Sequence, residues 1–438
     1  MPEIIGQLGG AMKKALGSIQ KGDGVAAYSV DTSAVFENNR LKSIEDSERF
    51  AIGLRVFEKG KVGNSFVNSF GDIDILVRNA YESASFGDPV EIDLPPMADY
   101  PKPHVFHPEV AEYPVEDAVK IGEDAVRRLK ELDKRAQIFV EVSKSRSFMS
   151  LSNTSGFDGS HEETEFSFGA SMSLVEDDGG LLDVGYGDSN YSLDLDWDTV
   201  FGNIEWRYKN ALNKVSIDTG EYSLLLAPDI SDLLIEPVLI AANGKNLYKG
   251  ISVLSDKENQ AIAGENFSLT DDPLYADSTA ITPFDGDGIV SGAMPVIERG
   301  VFRNFALDLT TAWRLGRQTN GRARRGISGL PSPGFTNLVF STGNSTLDEM
   351  ISSVKRGIFL VMTLGGGQSN LTAGDISVNI GLGYLIEDGK IKGRVKNAMI
   401  AGNVYDWLKS ISAMENRLHK LGSVFAPHIL IDKVSVAG

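Results

Sequence analysis

Only a few clusters in this chain combine residue types and spacings suited to chemistry. His161-Glu-Glu-Thr-Glu165 has the composition of the start of a zinc helix. Gly156 and Gly159 before it, and alternating Phe166 and Phe168 after it, predict instead an exposed polar loop entering a strand, where helical ligand spacing is lost. His104 and His107 lie between Pro103 and Pro108 and read as decoration of an extended connector. Asp194, Asp196 and Asp198 alternate with Leu195 and Trp197, which predicts one solvent face of a strand; the glycine and distal glutamate of a calcium loop are missing. Gly365, Gly366 and Gly367 lack the Lys-Ser/Thr pair of a phosphate loop, and suit a turn or a backbone surface for an extended peptide. Arg314, Arg317, Arg322, Arg324 and Arg325 form the basic cluster of an acidic chain. Arginine forks grip carboxylates bidentately, so Arg322, Arg324 and Arg325 are candidates for contact with an acidic peptide, a peptide C-terminus or a partner subunit. Pairing with this chain's own Asp and Glu is the alternative.

The stretch Leu233 to Leu254, LLIEPVLIAANGKNLYKGISVL, belongs to a longer pattern. An acidic turn and Glu-x-Gly strand follow in Phe284 to Gly316, FDGDGIVSGAMPVIERGVFRNFALDLTTAWRLG. Arg322 to Gly343, RARRGISGLPSPGFTNLVFSTG, joins an Arg-rich loop to a Pro-x-Pro-x-x-Thr-Asn strand, and Gly374 to Asn403 carries a Gly-Asp strand, a Glu-x-Gly-Lys hairpin and a Gly-Asn helix start. Phe36 to Ser69 adds an opening meander. In this order the blocks resemble the TldD/PmbA family, the modulators of DNA gyrase. The likeness runs over most of the chain and is densest in its C-terminal half.

The resemblance sets expectations for the site. TldD-type members carry His-Glu-x-x-x-His on the helix corresponding to Leu233 to Leu254, with a cysteine near the C-terminus as third zinc ligand. Here the two histidine positions hold Ile235 and Ile240, only Glu236 survives, and the chain has no cysteine. A hydrolytic zinc needs three protein ligands and an open water position, and isoleucine offers no lone pair. Pro237 follows the glutamate; if Asp229 or Ser231 caps the helix, the proline must kink it or start it again. The chain thus resembles the PmbA (TldE) branch. That implies no catalytic residue and no metal in this chain, with zinc expected only in a TldD-type paralogue that forms a heterodimer with it. The pair would process or degrade small or unfolded peptides, and a homodimer is the state expected without the partner. A peptide-binding or regulatory protein that does not cleave is the alternative. A hydrolase using Glu236 with an Asp ranks last, since no serine or threonine sits in a nucleophile motif.

Composition narrows the partners. Sixty acidic against 42 basic residues leave a net charge of −18, which repels phosphate backbones and argues against nucleic acid. Absence of cysteine excludes disulfides and suits a reducing cytoplasm. Ile4, Ile5, Leu8, Met12, Ala15, Leu16 and Ile19 recur at helical spacing and do not form the unbroken apolar core of a signal peptide; no run reaches membrane-spanning length. A cytoplasmic protein without membrane contact is expected.

The elements that must position these residues are α+β. After the first amphipathic helix, strands are predicted over Val25 to Asp31, Ala34 to Leu41, Phe50 to Glu58 and Val62 to Asn68, an antiparallel meander followed by a helix over Asp72 to Ala84. Seven of the sixteen prolines fall between Pro89 and Pro114, so an extended connector over 89–109 joins subregions 1–88 and 110–218. Val115 to Leu132 and Asp198 to Leu212 read as amphipathic helices. Together 1–218 make an N-terminal region with a meander and packed helices. Residues 219–438 make a β-rich C-terminal domain of antiparallel sheets with a few helices, including Thr346 to Lys355 capped by Ser345 and Asp348.

Overall fold

The computed structural model describes residues 2–177 and 179–438, and the architecture is α+β. Two compact units form, each gathered from separate stretches. One comprises Met1–Phe201, Ile281–Gly292 and Ala306–Gly334, the other Gly202–Ala280, Ala293–Phe305 and Phe335–Gly438. Compaction therefore does not follow a single contiguous division at 218/219.

The first unit is built on β1 (Gly22–Glu37), β2 (Arg40–Glu58), β3 (Lys61–Val67), β4 (Gln137–Asn153), β5 (Asp158–Val175) and β6 (Leu181–Asn190), ordered β3-β2-β1-β4-β5-β6. All neighbours are antiparallel. Where two strands are predicted over 25–41, one long strand runs from Gly22 to Glu37. Polar Asp31, Thr32 and Ser33 read as a break, yet each keeps a partner on both sides, as Asp31 does opposite Ser47 and Ser145. The reversal comes at Asn38-Asn39, both with positive φ (52° and 70°), a two-residue hairpin conformation that asparagine tolerates.

Helices α1 (Pro2–Gly17) and α2 (Ile73–Ala84) cover one face of the sheet. Leu8, Met12 and Ala15 from α1 and Leu76, Ala80 and Ala84 from α2 meet Ala26, Tyr28, Ile52 and Leu54 there. Gly63 of β3 lets α2 lie directly on the strand, because a Cβ would collide with the Ala80 carbonyl and the Ala84 amide, both rigid backbone. Gly63→Ala is expected to cost about 1–3 kcal/mol through this overpacking. It should appear as a lower urea midpoint with an unchanged slope.

Residues 90–107 carry no helix or strand, as the prolines require, yet Val90, Ile92, Leu94 and Val105 are buried. A single turn, α3 (Pro108–Ala111), leads to α4 (Val115–Leu132), whose Gly122 seats against the Phe36 ring. Two sequence expectations fail beyond this point. His161 lies within β5, half-buried opposite Met149 with its ring 5.9 Å from Phe284, not on an exposed loop. Burial lowers its pKa. Gly156 marks the turn before the strand, and Gly159 already lies within the strand, as the histidine does. Asp194, Asp196 and Asp198 do not share a strand face, because they lead into α5 (Trp197–Ala211). Asp196 accepts from the Thr199 amide (3.0 Å) and hydroxyl (2.6 Å), a capping role that alternation alone does not reveal.

The second unit holds two sheets. In the larger, Arg356–Leu364, Gly220–Leu226, Ile429–Ala437, Met399–Asn403, Asp375–Glu387, Lys390–Val395 and Lys214–Val215 follow in that order, and Ile411–Met414 adds to Ile429–Ala437. Arg356–Leu364 also pairs with Asp375–Glu387, so five strands close into a ring. Leu224, Leu225, Ile358, Leu360, Tyr384, Ile386, Ile431 and Val434 are buried there. Most pairs are antiparallel; Arg356–Leu364 with Gly220–Leu226 and Lys390–Val395 with Lys214–Val215 are parallel. The smaller sheet runs Val301–Phe302, Met294–Glu298, Leu269–Asp271, Leu338–Phe340, Val424–Ala426, His419–Leu421. The helix Leu347–Ser353 is capped by Thr346 with Glu349 returning to the Thr346 amide, one residue later than the predicted Ser345 and Asp348. No helix among the described residues is long and apolar enough to cross a membrane.

Candidate functional site

Glu236 lies on α6 (Asp232–Ala241), which follows a tight turn, Pro228–Ile230. Neither Asp229 nor Ser231 caps it. Ser231 is already helical (φ −60°, ψ −24°) and makes no side-chain cap bond, and Asp229 accepts from Arg207 Nη2 at 2.7 Å. The helix runs on past Pro237, so the proline does not start it afresh. The following segment Lys249–Val253 returns to its C-terminus, where Ser252 Oγ donates to the Ala241 carbonyl at 2.6 Å.

The three positions where the family motif would place its helix residues do not converge on a wet pocket. Ile235 is 2% exposed and packs inward with Leu234, Pro237, Val238 and Ala241, Ile240 is half-buried, and Glu236 points to solvent. The donor set is one carboxylate and two hydrocarbon branches, and a dication beside Ile235 would be desolvated without ligands. A zinc ion does not fit these positions.

The arginine cluster divides. Arg322 is 2% exposed and spends its guanidinium on backbone carbonyls, those of Asn320 and Gly321 at 3.1 Å and of Gly292 at 2.7 Å. Arg325 Nη1 donates to Asp23 Oδ1 at 2.6 Å with its side chain buried. Neither can meet a substrate or a partner subunit; Arg325 takes the intramolecular ion pair expected under the alternative, and Arg322 is held by backbone carbonyls. Arg324 stays exposed. Gly365 and Gly367 are exposed and Gly366 half-buried in the turn after Arg356–Leu364, where Gly365 and Gly366 take φ of 85° and 111°.

Arg325 belongs to a buried charge centre inside the first unit. Arg55 Nε donates to Asp23 Oδ2 at 2.9 Å, and Arg55 Nη2 lies 2.8 Å from Asp287 Oδ1. Asp287 Oδ2 accepts from the Leu309 amide at 2.9 Å. Burial pushes the Asp23 carboxyl up, but Arg325 and Arg55 outweigh it and the net shift is downward. Asp285 has no guanidinium of its own. It accepts instead from the amides of Asp287 and Ile289, both 2.9 Å, and Ala323, 3.0 Å. Burial first and the Asp287 carboxylate second push it up to about 7, against the pull of those three amides. The acidic turn and the Arg-rich loop thus lock to each other and to β1 and β2 through buried side chains.

The sign of the Asp285 effect follows from linkage. The folded state holds its proton more tightly than the unfolded chain, so this group's contribution to stability falls as pH rises from about 4 to about 7. A protonated-carboxyl infrared band should therefore be present at pH 5, fade through about pH 7, and be missing in Asp285→Asn. A band that never appears in the wild type would show that the amides win.

One grouping escaped the sequence. Glu415 Oε2 lies 2.7 Å from His419 Nε2 and 2.6 Å from His428 Nδ1, while Arg417 Nε donates to Oε1 at 2.8 Å. Strand register assembles it. Met414 pairs with Ile429, which sets Glu415 beside His428, and the hairpin pairing of His419 with Ala426 folds the second imidazole over. Burial lowers the His428 pKa, against the raising effect of Glu415.

The comparisons with known proteins agree with this architecture. Residues 219–438 match the family model of the PmbA/TldA metallopeptidase C-terminal domain, and residues 25–84 that of PmbA/TldA metallopeptidase domain 1. An uncharacterized protein of Methanocaldococcus jannaschii is 26% identical over 412 residues, covering 92% of this chain and 93% of that one. The metalloprotease PmbA homolog of Haemophilus influenzae is 23% identical over 415 residues, covering 91% and 88%. The crystal structure of TldE from Thermococcus kodakarensis superposes with a TM-score of 0.90 at 23% identity, covering 99% of this chain and all of that one, and so shares its fold. With the C-terminal family domain filling half of the sequence, the chain belongs to the PmbA/TldD metallopeptidase family.

Proposed function

We propose that this chain is a non-catalytic subunit of the PmbA/TldE type. It pairs in the cytoplasm with a TldD-type paralogue that supplies the hydrolytic zinc, and the complex processes or degrades small or unfolded peptides. The observation that carries this reading is the state of α6. Its two motif positions are isoleucines, one of them buried, its glutamate is exposed to solvent, and no cysteine exists to serve as third ligand. A relative named as a PmbA-type metalloprotease supports the branch. Self-association through the same surface is the state proposed when the paralogue is absent.

The test is a peptidase assay on unfolded peptides with this chain alone, the TldD-type paralogue alone and the mixture, together with size-exclusion chromatography of the mixture. Co-elution and turnover only where the paralogue is present are expected. Turnover by the isolated chain would overturn the assignment.

A further inference from the structure

We propose that Glu415, His419 and His428 form a binding site for a divalent transition-metal cation of the zinc class, built from the C-terminal strands by residues other than those at the motif positions of α6. One ligand atom from each residue lies within 4.8 Å of the other two. Both imidazoles aim a nitrogen at the same carboxylate oxygen, and their rings stand nearly perpendicular, 88° apart with centroids at 5.0 Å. Two imidazole nitrogens and one carboxylate oxygen are a zinc ligand set that leaves a fourth position for water.

The fit can be judged from bond lengths. Ligand atoms about 2.1 Å from a tetrahedral zinc stand about 3.4 Å apart. The present separations from Oε2 are 2.7 and 2.6 Å, so the carboxylate must withdraw by under about 1 Å. Rotation of the Glu415 side chain is the movement this requires. Arg417, holding Oε1, keeps Oε2 directed at the histidines, the outer contact that orients a ligating carboxylate. Without the ion, each ring must direct an N–H at Oε2. With it, those nitrogens present lone pairs and the protons move to the far side of each ring, a tautomer change that needs no net proton transfer. Access is through His419, whose side chain is 15% exposed, while Glu415 and His428 are more deeply buried. Each ligand comes from a different part of the 415–428 segment, so the ion would pin the hairpin His419–Leu421 and Val424–Ala426 to the edge formed by Ile411–Met414 and Ile429–Ala437.

This inference does not rest on the subunit reading, because it concerns binding and not turnover. The metal-free full-length chain is titrated with cobalt(II), followed by its visible absorption, and with zinc, followed by equilibrium dialysis with elemental analysis and by thermal unfolding. One ion per chain, the intense absorption of four-coordinate cobalt and a Tm raised by several degrees are expected. His419→Gln and His428→Gln should each weaken binding by more than about tenfold, and Arg417→Gln by about tenfold. A double substitution of His104 and His107 by Gln should change nothing. If His428→Gln fails to fold, the partly exposed His419→Gln carries the test. No uptake by the folded wild-type chain, or uptake that survives His419→Gln, would mean that the three residues are a hydrogen-bonded triad only and would sink the proposal.

Discussion

Arg55→Met is expected to lower stability at pH 7.5 by roughly 3–5 kcal/mol, the range for breaking a buried ion pair from one side. The guanidinium is 1% exposed and answers two carboxylates, Asp23 and Asp287, that are themselves fully buried. Methionine replaces most of the stem volume, so the loss is chiefly electrostatic. Two buried anions would be left to Arg325, which reaches Asp23 but makes no direct pair with Asp287. The pH dependence separates this cause from simple packing damage. In the wild type the Asp23 pKa is lowered, so its contribution is present above the unfolded carboxylate range and is lost as pH falls. In the variant the stranded carboxylates take up protons in the folded state, and stability recovers toward acid pH. The gap between the two proteins in urea denaturation should therefore narrow from pH 7.5 to pH 4.5. An equal deficit at both pH values would mean that the arginine acts through shape alone.

That centre also shows which parts of this molecule can be read from sequence. Val115–Leu132 is legible because its apolar spacing is sustained for five turns and one face meets the sheet. The turn at Asn38-Asn39 is legible in principle, from asparagine's tolerance of positive φ, but a run of polar residues seven positions earlier draws the eye first. Arg322 and Arg325 look like surface charge. Their burial depends on partners some 30 and 300 positions away, Gly292 and Asp23, which no local pattern announces. That positions 235 and 240 offer no metal ligand is legible directly, because isoleucine has no lone pair wherever it is placed. The Glu415, His419 and His428 grouping is of the opposite kind. Glu415 and His419 have helical spacing but sit on extended chain, and only the pairing of Met414 with Ile429 and of His419 with Ala426 brings the three together.

The isolated chain is expected to turn over unfolded peptides at background rate, and its mixture with the TldD-type paralogue on the order of 10⁶-fold faster or more, the low end of typical enzymatic acceleration. A metal-bound water reaches a pKa near 7 only when the ion is held by a few ligands in an open geometry, and a carboxylate must stand beside that water to take its proton. On α6 the carboxylate of Glu236 is exposed, while the neighbouring Ile235 is buried and offers no lone pair, so nothing on this helix holds a metal-bound water beside the base. Restoring Ile235→His and Ile240→His together would still leave two ligands, a mid-helix proline and no cysteine, and should not create activity. In the complex, Glu236→Gln in this chain should leave kcat within about twofold, whereas the same substitution in the paralogue's His-Glu-x-x-x-His motif should remove at least about 10²-fold, as loss of a general base does. Should Glu236→Gln here carry the large effect instead, the reacting carboxylate would lie in this chain, and the division of labour between the subunits would have to be reversed.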